Sequence, residues 1–261
     1  MSLDERWIRS LHVHAMRRAD LHADHDLHVL FQASTIGALL EGSFEGDVTF
    51  AQLAEHGNLG LGTLNHLDGE MIAIDHRFYR ADVEGKISEV APDERTPFAV
   101  VVPFEGDIHF DLEGSIDQDR LLGEIDRRIP ADAASCAVRI EGRFERLRAR
   151  SVPRQEPPYR PLTEVVSGQH VFEFTDIAGT MLGFRFPEYA EGIEVAGWHL
   201  HFISDDRARG GHVLDSRTET ALVRLDPTSE LHVELPPNID LTDPAAADDT
   251  HAAIDRVEHT G

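Results

Sequence analysis

Cysteine, lysine and long apolar runs are scarce in this chain of 261 residues. The single cysteine, Cys136, excludes an internal disulfide and any metal site built from several thiolates. No apolar run is long enough to span a membrane, and the N-terminal residues lack the apolar segment of a signal peptide. We therefore expect a cytoplasmic protein without membrane association.

Basic residues are outnumbered by acidic ones. The chain has 48 Asp and Glu residues against 24 Lys and Arg residues, a formal net charge of −24, and Lys86 is its only lysine. Such a chain lacks the basic face that nucleic-acid binding requires, so we expect no nucleic-acid partner. Excess carboxylate with almost no lysine predicts a halophilic protein, because concentrated salt screens repulsion between like charges. A base composition that favours arginine codons would explain the missing lysine but not the acidic residues.

Hydrophobic residues make up 41% of the sequence, which is enough to build a packed core. Helices are predicted over Ser34–Leu40, over Gln118–Arg128 and from Thr49, which has capping-box spacing to Gln52. Most of the remaining chain is predicted to form short strands. Before the proline-rich segment these strands are Gly60–His66, Glu70–Asp75, Phe78–Ala81, Lys86–Val90, Phe98–Phe104, Ser135–Glu141 and Phe144–Val152.

A proline-rich segment from Pro153 to Pro161 predicts a domain boundary, because it cannot form a helix or a central strand. It divides the chain into an N-terminal arm (1–28), a mixed-sheet domain with helices (29–160) and a C-terminal domain (161–261). Short β segments separated by Gly and Asp predict a small β-barrel-like C-terminal domain, with a terminal helix from near Pro244 to Glu258. The predicted fold class is therefore α/β in the broad sense (α+β).

The segment from Gly197 to Leu214 carries a histidine pair and a third histidine beyond a polar turn. His199 and His201 are two residues apart in a predicted strand, so their side chains project from one face. The polar stretch Asp205–Gly211 predicts a hairpin loop, and His212 begins the returning strand, where it can lie opposite the pair. Three imidazoles with open coordination positions form the donor set of a catalytic zinc site in the C-terminal domain. The alternative is three unrelated histidines among the 16 of this chain.

Two further segments place charged side chains in unusual settings. Glu70 follows a tight turn and precedes an apolar strand, although a surface carboxylate is the ordinary alternative. Arg146, Arg148 and Arg150 alternate along an arginine-rich strand, where most would be solvated. An anionic substrate in so acidic a protein nevertheless requires a placed arginine, because a guanidinium matches a carboxylate.

Four stretches together resemble the α-acetolactate decarboxylase family. They are GTLNHLDGEM (62–71), RSVPRQEPPYRPL (150–162), GTMLGFRFP (179–187) and the histidine hairpin (197–215). Their order and spacing cover the chain from about Leu30 to Glu258. The resemblance implies a two-domain α/β protein that forms a homodimer. It also implies decarboxylation of (S)-2-acetolactate to (R)-acetoin and CO₂, in acetoin and butanediol biosynthesis, without an organic cofactor.

The resemblance also implies roles for individual residues. His199, His201 and His212 correspond to zinc ligands. Thr63 and Arg150 would bind the substrate, and Glu70, Arg150 and Glu258 would act in catalysis. The metal would polarise the ketone and hydroxyl oxygens while arginine holds the carboxylate and a glutamate protonates the enediolate.

Several alternatives stay open on sequence grounds. Glu70 and Glu258 both qualify as the proton donor, and Arg154 competes with Arg150 for the substrate carboxylate. Cobalt, manganese or iron could replace zinc. The alternative functions are a cupin-like non-haem metal oxygenase, which would use two histidines and a carboxylate, and a non-catalytic protein that binds a metal or a small ligand.

Overall fold

A computed structural model gives the fold of the chain. It describes residues 29–131, 133–190, 192–228 and 230–235, together with the backbone of residues 12–16. The predicted terminal helix and most of the predicted N-terminal arm lie outside these residues. Within the described ranges, no helix is both long and apolar enough to cross a membrane.

Three of the predicted helices are present, together with a further short helix that the sequence did not predict. The three are α1 (Ile36–Leu40), α2 (Phe50–Leu53) and α3 (Gln118–Asp126), and the further helix is α4 (Leu162–Val165). Thr35 precedes α1, and its side-chain oxygen accepts a hydrogen bond from the backbone N–H of Ala38. The predicted capping box between Thr49 and Gln52 is formed at the start of α2. These local signals therefore fix where the short helices begin.

Strands make up most of the described structure. They are β1 (His12–Met16), β2 (Val29–Ala33), β3 (Val48–Thr49), β4 (Leu59–Thr63), β5 (Glu70–Ile74), β6 (Arg77–Ala81), β7 (Ile87–Glu89), β8 (Arg95–Thr96), β9 (Ala99–Val102), β10 (Ile108–Asp117), β11 (Ser135–Ser151), β12 (His170–Phe186), β13 (Gly197–Ser204), β14 (Gly210–Thr228) and β15 (Glu230–Glu234). An eight-stranded sheet has the order β1-β15-β2-β9-β4-β5-β6-β7, and a five-stranded sheet has the order β10-β14-β11-β12-β13. The fold is thus mixed α+β with few helices.

One long strand replaces the two strands predicted between residues 135 and 152. β11 runs without interruption and pairs with β12 on one side and β14 on the other. The predicted break after Glu141 is wrong, because Gly142 permits close strand packing instead of a turn. A Cβ atom at Gly142 would lie 2.0 Å from the carbonyl oxygen of Thr220. The glycine therefore lets β14 lie against β11.

The two sheets use segments from both sides of the proline-rich segment. β10 and β11 precede residue 160 but belong to the five-stranded sheet, whereas β15 follows residue 160 and pairs with β2. β1, which falls in the predicted arm, runs parallel to β15. The domain boundary at residue 160 stays a prediction, although the sheets themselves are not divided there.

The main apolar core lies between the two sheets. It contains Leu61 and Ile72 of the eight-stranded sheet together with Leu182 and Phe184 of the five-stranded sheet. A second cluster packs α3 against the five-stranded sheet, and a third packs α2 against the eight-stranded sheet. β4 and β5 are buried along their whole length. The polar side chains that β4 and β5 carry, Thr63 and Glu70, therefore lie within the protein.

Candidate active site

A hairpin of the five-stranded sheet brings the three predicted histidines together. His199 and His201 lie on β13, and His212 on β14 is directly opposite His201. The centroid of the His199 ring is 5.2 Å from that of His201 and 5.1 Å from that of His212, and the His201 and His212 centroids are 5.4 Å apart. All three residues are buried, and one ring nitrogen from each lies within 4.8 Å of the other two.

The two glycines before His212 allow β14 to approach both of its neighbours. In the register of the sheet, His212 is opposite His201 on β13 and opposite Arg150 on β11. A Cβ atom at Gly211, whose φ is +154°, would lie 2.9 Å from the carbonyl oxygen of Arg150. Side chains at this point would force the strands apart. The Gly-Gly pair therefore places the third histidine beside both the other histidines and the buried arginine.

His201 is held in one tautomer by the eight-stranded sheet. Its Nδ1 atom is 2.8 Å from the carbonyl oxygen of Met71, and because a carbonyl only accepts, Nδ1 carries the proton. The lone pair is then on Nε2, which makes no hydrogen bond to the described residues. Burial lowers the pKa of His201 well below its usual value, and the adjacent His199 and Arg150 lower it further. The imidazole is therefore neutral, the form that binds metals.

The donor set fits a divalent metal ion. Three buried imidazole nitrogens converge, and one of them, Nε2 of His201, is an acceptor with no hydrogen bond to the part of the chain that the structure describes. Leaving such an atom unsatisfied costs free energy that a metal bond would recover. The cluster could thus hold one metal with coordination positions left for a substrate.

A buried ion pair lies beside the histidine cluster. Arg150 Nη1 is 3.2 Å from Glu70 Oε1, and the two side chains are only 5% and 9% exposed. The other carboxylate oxygen, Oε2, is 3.6 Å from Nε2 of His201. Glu70 of the eight-stranded sheet therefore lies beside both Arg150 and His201 of the five-stranded sheet. The tight turn before Glu70 marked this residue in the sequence but did not predict its two neighbours.

Thr63 faces Glu70 across the β4–β5 pair. Its hydroxyl donates a 2.8 Å hydrogen bond to the carbonyl oxygen of Gly69, which closes the turn between the strands. The proton of this hydroxyl is committed to that bond, so its oxygen can only accept a further hydrogen bond. Thr63 is thus suited to accept a hydrogen bond from a hydroxyl group of a bound molecule.

One cavity contains most of the predicted site residues. Thr63, Glu70, Arg150, His199 and His212 line it, and its empty volume, counted with the open mouth, is about 430 Å³. Its remaining walls are chiefly apolar, formed by Ile36, Leu39, Gly62, Leu67, Phe98, Val152 and Leu162. A few polar groups within apolar walls are typical of a small-molecule site.

Of the predicted site residues that the structure describes, His201 and Arg154 are not among those that line the cavity. Arg154, the alternative to Arg150, is half exposed and pairs with Asp68 at 3.1 Å. Glu258 lies outside the described residues, so its predicted role in catalysis stays a prediction. Of the two arginines, Arg150 is therefore the one that the fold brings to the histidines.

Sequence reasoning did not identify the apolar walls of the cavity or the carbonyl group of Met71. Ile36, Leu39 and Phe98 have the same signature in sequence as ordinary core residues, because all of them are apolar and buried. A backbone carbonyl has no signature at all. Gly62, Leu67, Val152 and Leu162 lie inside stretches of the family resemblance, and this could have marked them.

Comparison with known proteins identifies a family that matches most of the chain. The family model for α-acetolactate decarboxylase matches residues 30–244. The chain is 42% identical over 237 residues to an α-acetolactate decarboxylase of Methylococcus capsulatus, covering 90% of this chain and 91% of that protein. It is also 42% identical over 214 residues to the Klebsiella aerogenes protein of the same name, covering 82% of each.

A solved structure gives the same result for the fold. The crystal structure of α-acetolactate decarboxylase from Bacillus subtilis strain 168 superposes on this chain with a TM-score of 0.84 at 34% identity. The superposition covers 89% of this chain and 100% of the solved chain. The residues that the family model matches include the histidine hairpin and the strands that carry Glu70 and Arg150. The chain belongs to the α-acetolactate decarboxylase family.

Proposed function

We propose that this protein is a metal-dependent α-acetolactate decarboxylase, a carboxy-lyase that converts (S)-2-acetolactate to (R)-acetoin and CO₂ in acetoin and butanediol biosynthesis. The observation that carries the proposal is that two of the three clustered histidines and the buried Glu70–Arg150 pair line one cavity, in a chain of this family. We further propose a homodimer, with the five-stranded sheet as the barrel-like unit that carries the metal.

His199, His201 and His212 would hold the metal, and zinc suits three imidazole ligands. When bound, it would supply Lewis-acid polarisation of the ketone and hydroxyl oxygens of the substrate. No organic cofactor is required, because the electron pair released as CO₂ departs can enter the substrate's own ketone.

Arg150 would bind the substrate carboxylate. Its guanidinium is buried and already faces an anion, Glu70, at 3.2 Å. An incoming carboxylate competes with Glu70 for the same cation, and a buried charge-assisted hydrogen bond orients the bond that will break. Once CO₂ leaves, that bond to the substrate is lost and Arg150 can return to Glu70.

Glu70 or Glu258 would deliver the proton that replaces CO₂. Engagement of Arg150 by the substrate deprives the Glu70 carboxylate of its cation, which favours the protonated form in a buried setting. Glu70 would then take up one proton from solvent and pass it to the carbon that CO₂ has left, which supplies the proton that the reaction consumes. Delivery from one fixed side gives one enantiomer of acetoin.

Thr63 and the apolar walls would orient the rest of the substrate. The Thr63 oxygen can accept a hydrogen bond from the tertiary hydroxyl, since its own proton is donated to Gly69. The apolar walls would surround the methyl groups and keep water from the carbanion equivalent. One-sided protonation requires that exclusion.

The test is acetoin formation from (S)-2-acetolactate, analysed by chiral chromatography before and after chelation. Uncatalysed decarboxylation in water gives racemic acetoin, so enantiomeric excess separates the enzyme from the background. We expect (R)-acetoin, its loss with chelator and about one metal per chain. Racemic acetoin at the buffer rate from folded, metal-loaded protein would contradict the proposal.

His212→Ala distinguishes the alternative metal sites, with His109→Ala as the control because His109 is an exposed histidine of the same sheet. We expect His212→Ala to lose the metal and the (R)-acetoin together, and the control to keep both. An oxygenase site of two histidines and a carboxylate would retain its metal in His212→Ala.

A further inference from the structure

The turn between β4 and β5 has an unusual backbone. His66 and Leu67, two consecutive non-glycine residues, have φ angles of +66° and +53°. This left-handed region is unfavourable for residues with a Cβ atom and persists only where the surroundings hold it. The turn lies between Thr63 and Glu70, so the conformation of its backbone sets the position of both.

Neighbouring segments bind three polar groups of His66. Its backbone N–H donates to the carbonyl oxygen of Phe44, and its carbonyl oxygen accepts from the N–H of Gln155, both at 2.7 Å. Its Nδ1 atom is 2.5 Å from the hydroxyl oxygen of Tyr159. The left-handed turn is therefore fixed from two sides of the chain.

The side-chain hydrogen bonds run in one direction. The Tyr159 hydroxyl donates its one proton to Glu45 Oε1 at 2.7 Å, so His66 Nδ1–H must be the donor to Tyr159. Burial raises the pKa of Tyr159 to about 12, and the bond to Glu45 adds to this, so the hydroxyl keeps its proton. We call this group of three side chains, Glu45, Tyr159 and His66, the clasp.

The clasp connects two segments of the chain whose neighbouring residues line the cavity. Leu67, next to His66, lines the cavity together with Glu70. Tyr159 belongs to the proline-rich segment, and the two residues that flank this segment, Val152 and Leu162, line the same cavity. The clasp thus joins the turn that leads to Glu70 to the segment that follows Arg150, without itself reaching the cavity.

We propose that the clasp is a positioning element for the decarboxylase: it holds the left-handed turn at His66 so that Glu70 stays beside Arg150 and the histidines. This inference rests on the proposed function. Because the turn carries Glu70, we expect its loss to affect proton delivery more than substrate binding. Its signature is then a lower kcat and a lower enantiomeric excess of acetoin, with KM nearly unchanged.

Tyr159→Phe tests the inference, because it removes the hydroxyl and keeps the ring that packs edge-on against Phe44. Tyr79→Phe is the matched control, a tyrosine of β6 that takes no part in the clasp. We expect Tyr159→Phe to lower kcat by about tenfold through misplacement of Glu70, with KM within about twofold and metal content unchanged. Tyr79→Phe should behave as the unaltered protein.

Hydrogen exchange measured by mass spectrometry supplies a readout that does not depend on activity. Tyr159→Phe should speed exchange in the peptide that covers residues 62–71 and leave the hairpin peptide 197–214 unchanged. Two results for Tyr159→Phe would overturn the inference. One is faster exchange in peptide 62–71 with unaltered kcat and enantiomeric excess, and the other is unaltered exchange in that peptide. Equal losses in Tyr159→Phe and Tyr79→Phe would also overturn it.

His66→Gly completes the test, since glycine adopts the left-handed conformation without strain and removes the imidazole. If the clasp acts as a unit, the double variant with Tyr159→Phe should have the kcat of His66→Gly alone, whereas multiplied losses would contradict it. Failure of the proposed function is distinguishable, because the unaltered protein would then give racemic acetoin at the buffer rate.

Discussion

Removal of the Arg150 guanidinium would leave the Glu70 carboxylate buried beside three imidazoles without its cation. Both side chains of the pair are nearly inaccessible, at 5% and 9% exposed. Breaking such a pair from one side costs about 3–5 kcal/mol, because an uncompensated charge remains in a dry setting. For a protein of this size that corresponds to a decrease in Tm of about 6–20 °C. We expect Arg150→Met to show this loss in chemical denaturation followed by circular dichroism, together with loss of acetoin formation.

Arg154→Met is the matched control for this prediction. Its partner is Asp68, and the Arg154 side chain is 51% exposed, so the surface pair contributes at most about 1 kcal/mol. The double variant Arg150→Met/Glu70→Leu should regain most of the stability, since it removes both charges. If Arg150→Met unfolds within about 1 kcal/mol of the unaltered protein, or if Arg154→Met loses as much stability, the reasoning from burial is refuted.

Three further predictions follow from the packing, burial and charge of particular residues. Gly211→Ala should weaken metal binding at least tenfold in a competition with a chelator, because its Cβ would push β14 away from Arg150; unaltered affinity would exclude a role for the close approach. Cys136, buried and with its pKa raised to about 12 by that burial, should resist iodoacetamide at pH 8 until the protein unfolds. Its contribution to stability is present below the usual thiol pKa and is lost as the pH rises toward 12. With a net charge of −24, the free energy of unfolding should increase between about 0.1 and 2 M KCl as screening reduces repulsion, and a flat response would contradict halophilic adaptation.

Local signals in the sequence were sufficient for the short elements. The capping box at Thr49 and the spacing of His199 and His201 depend on neighbours only a few residues apart, so both could be predicted. The convergence with His212 followed from the hairpin, whose Gly-Gly pair permits close strand contact. Chemistry that is local in the chain is therefore visible in the sequence.

Features that depend on distant partners could not be predicted in this way. Gly142 resembles a turn residue until β14, which carries Thr220, is placed against it. The pairing of β15 with β2 in the eight-stranded sheet is visible only once the tertiary fold is known. The same holds for the hydrogen bond between His201 and the carbonyl oxygen of Met71. The family resemblance named Glu70 and Arg150, but their pairing at 3.2 Å, eighty residues apart, is visible only in the structure.

The central claim is that His199, His201 and His212 hold the catalytic metal beside Glu70. A crystal structure with anomalous data collected at the zinc edge, from protein that forms (R)-acetoin, tests it most directly. We predict one strong anomalous peak about 2.0–2.1 Å from a nitrogen of each imidazole, with His201 ligating through Nε2. A peak elsewhere, or no peak among the three histidines in active crystals, would contradict the account.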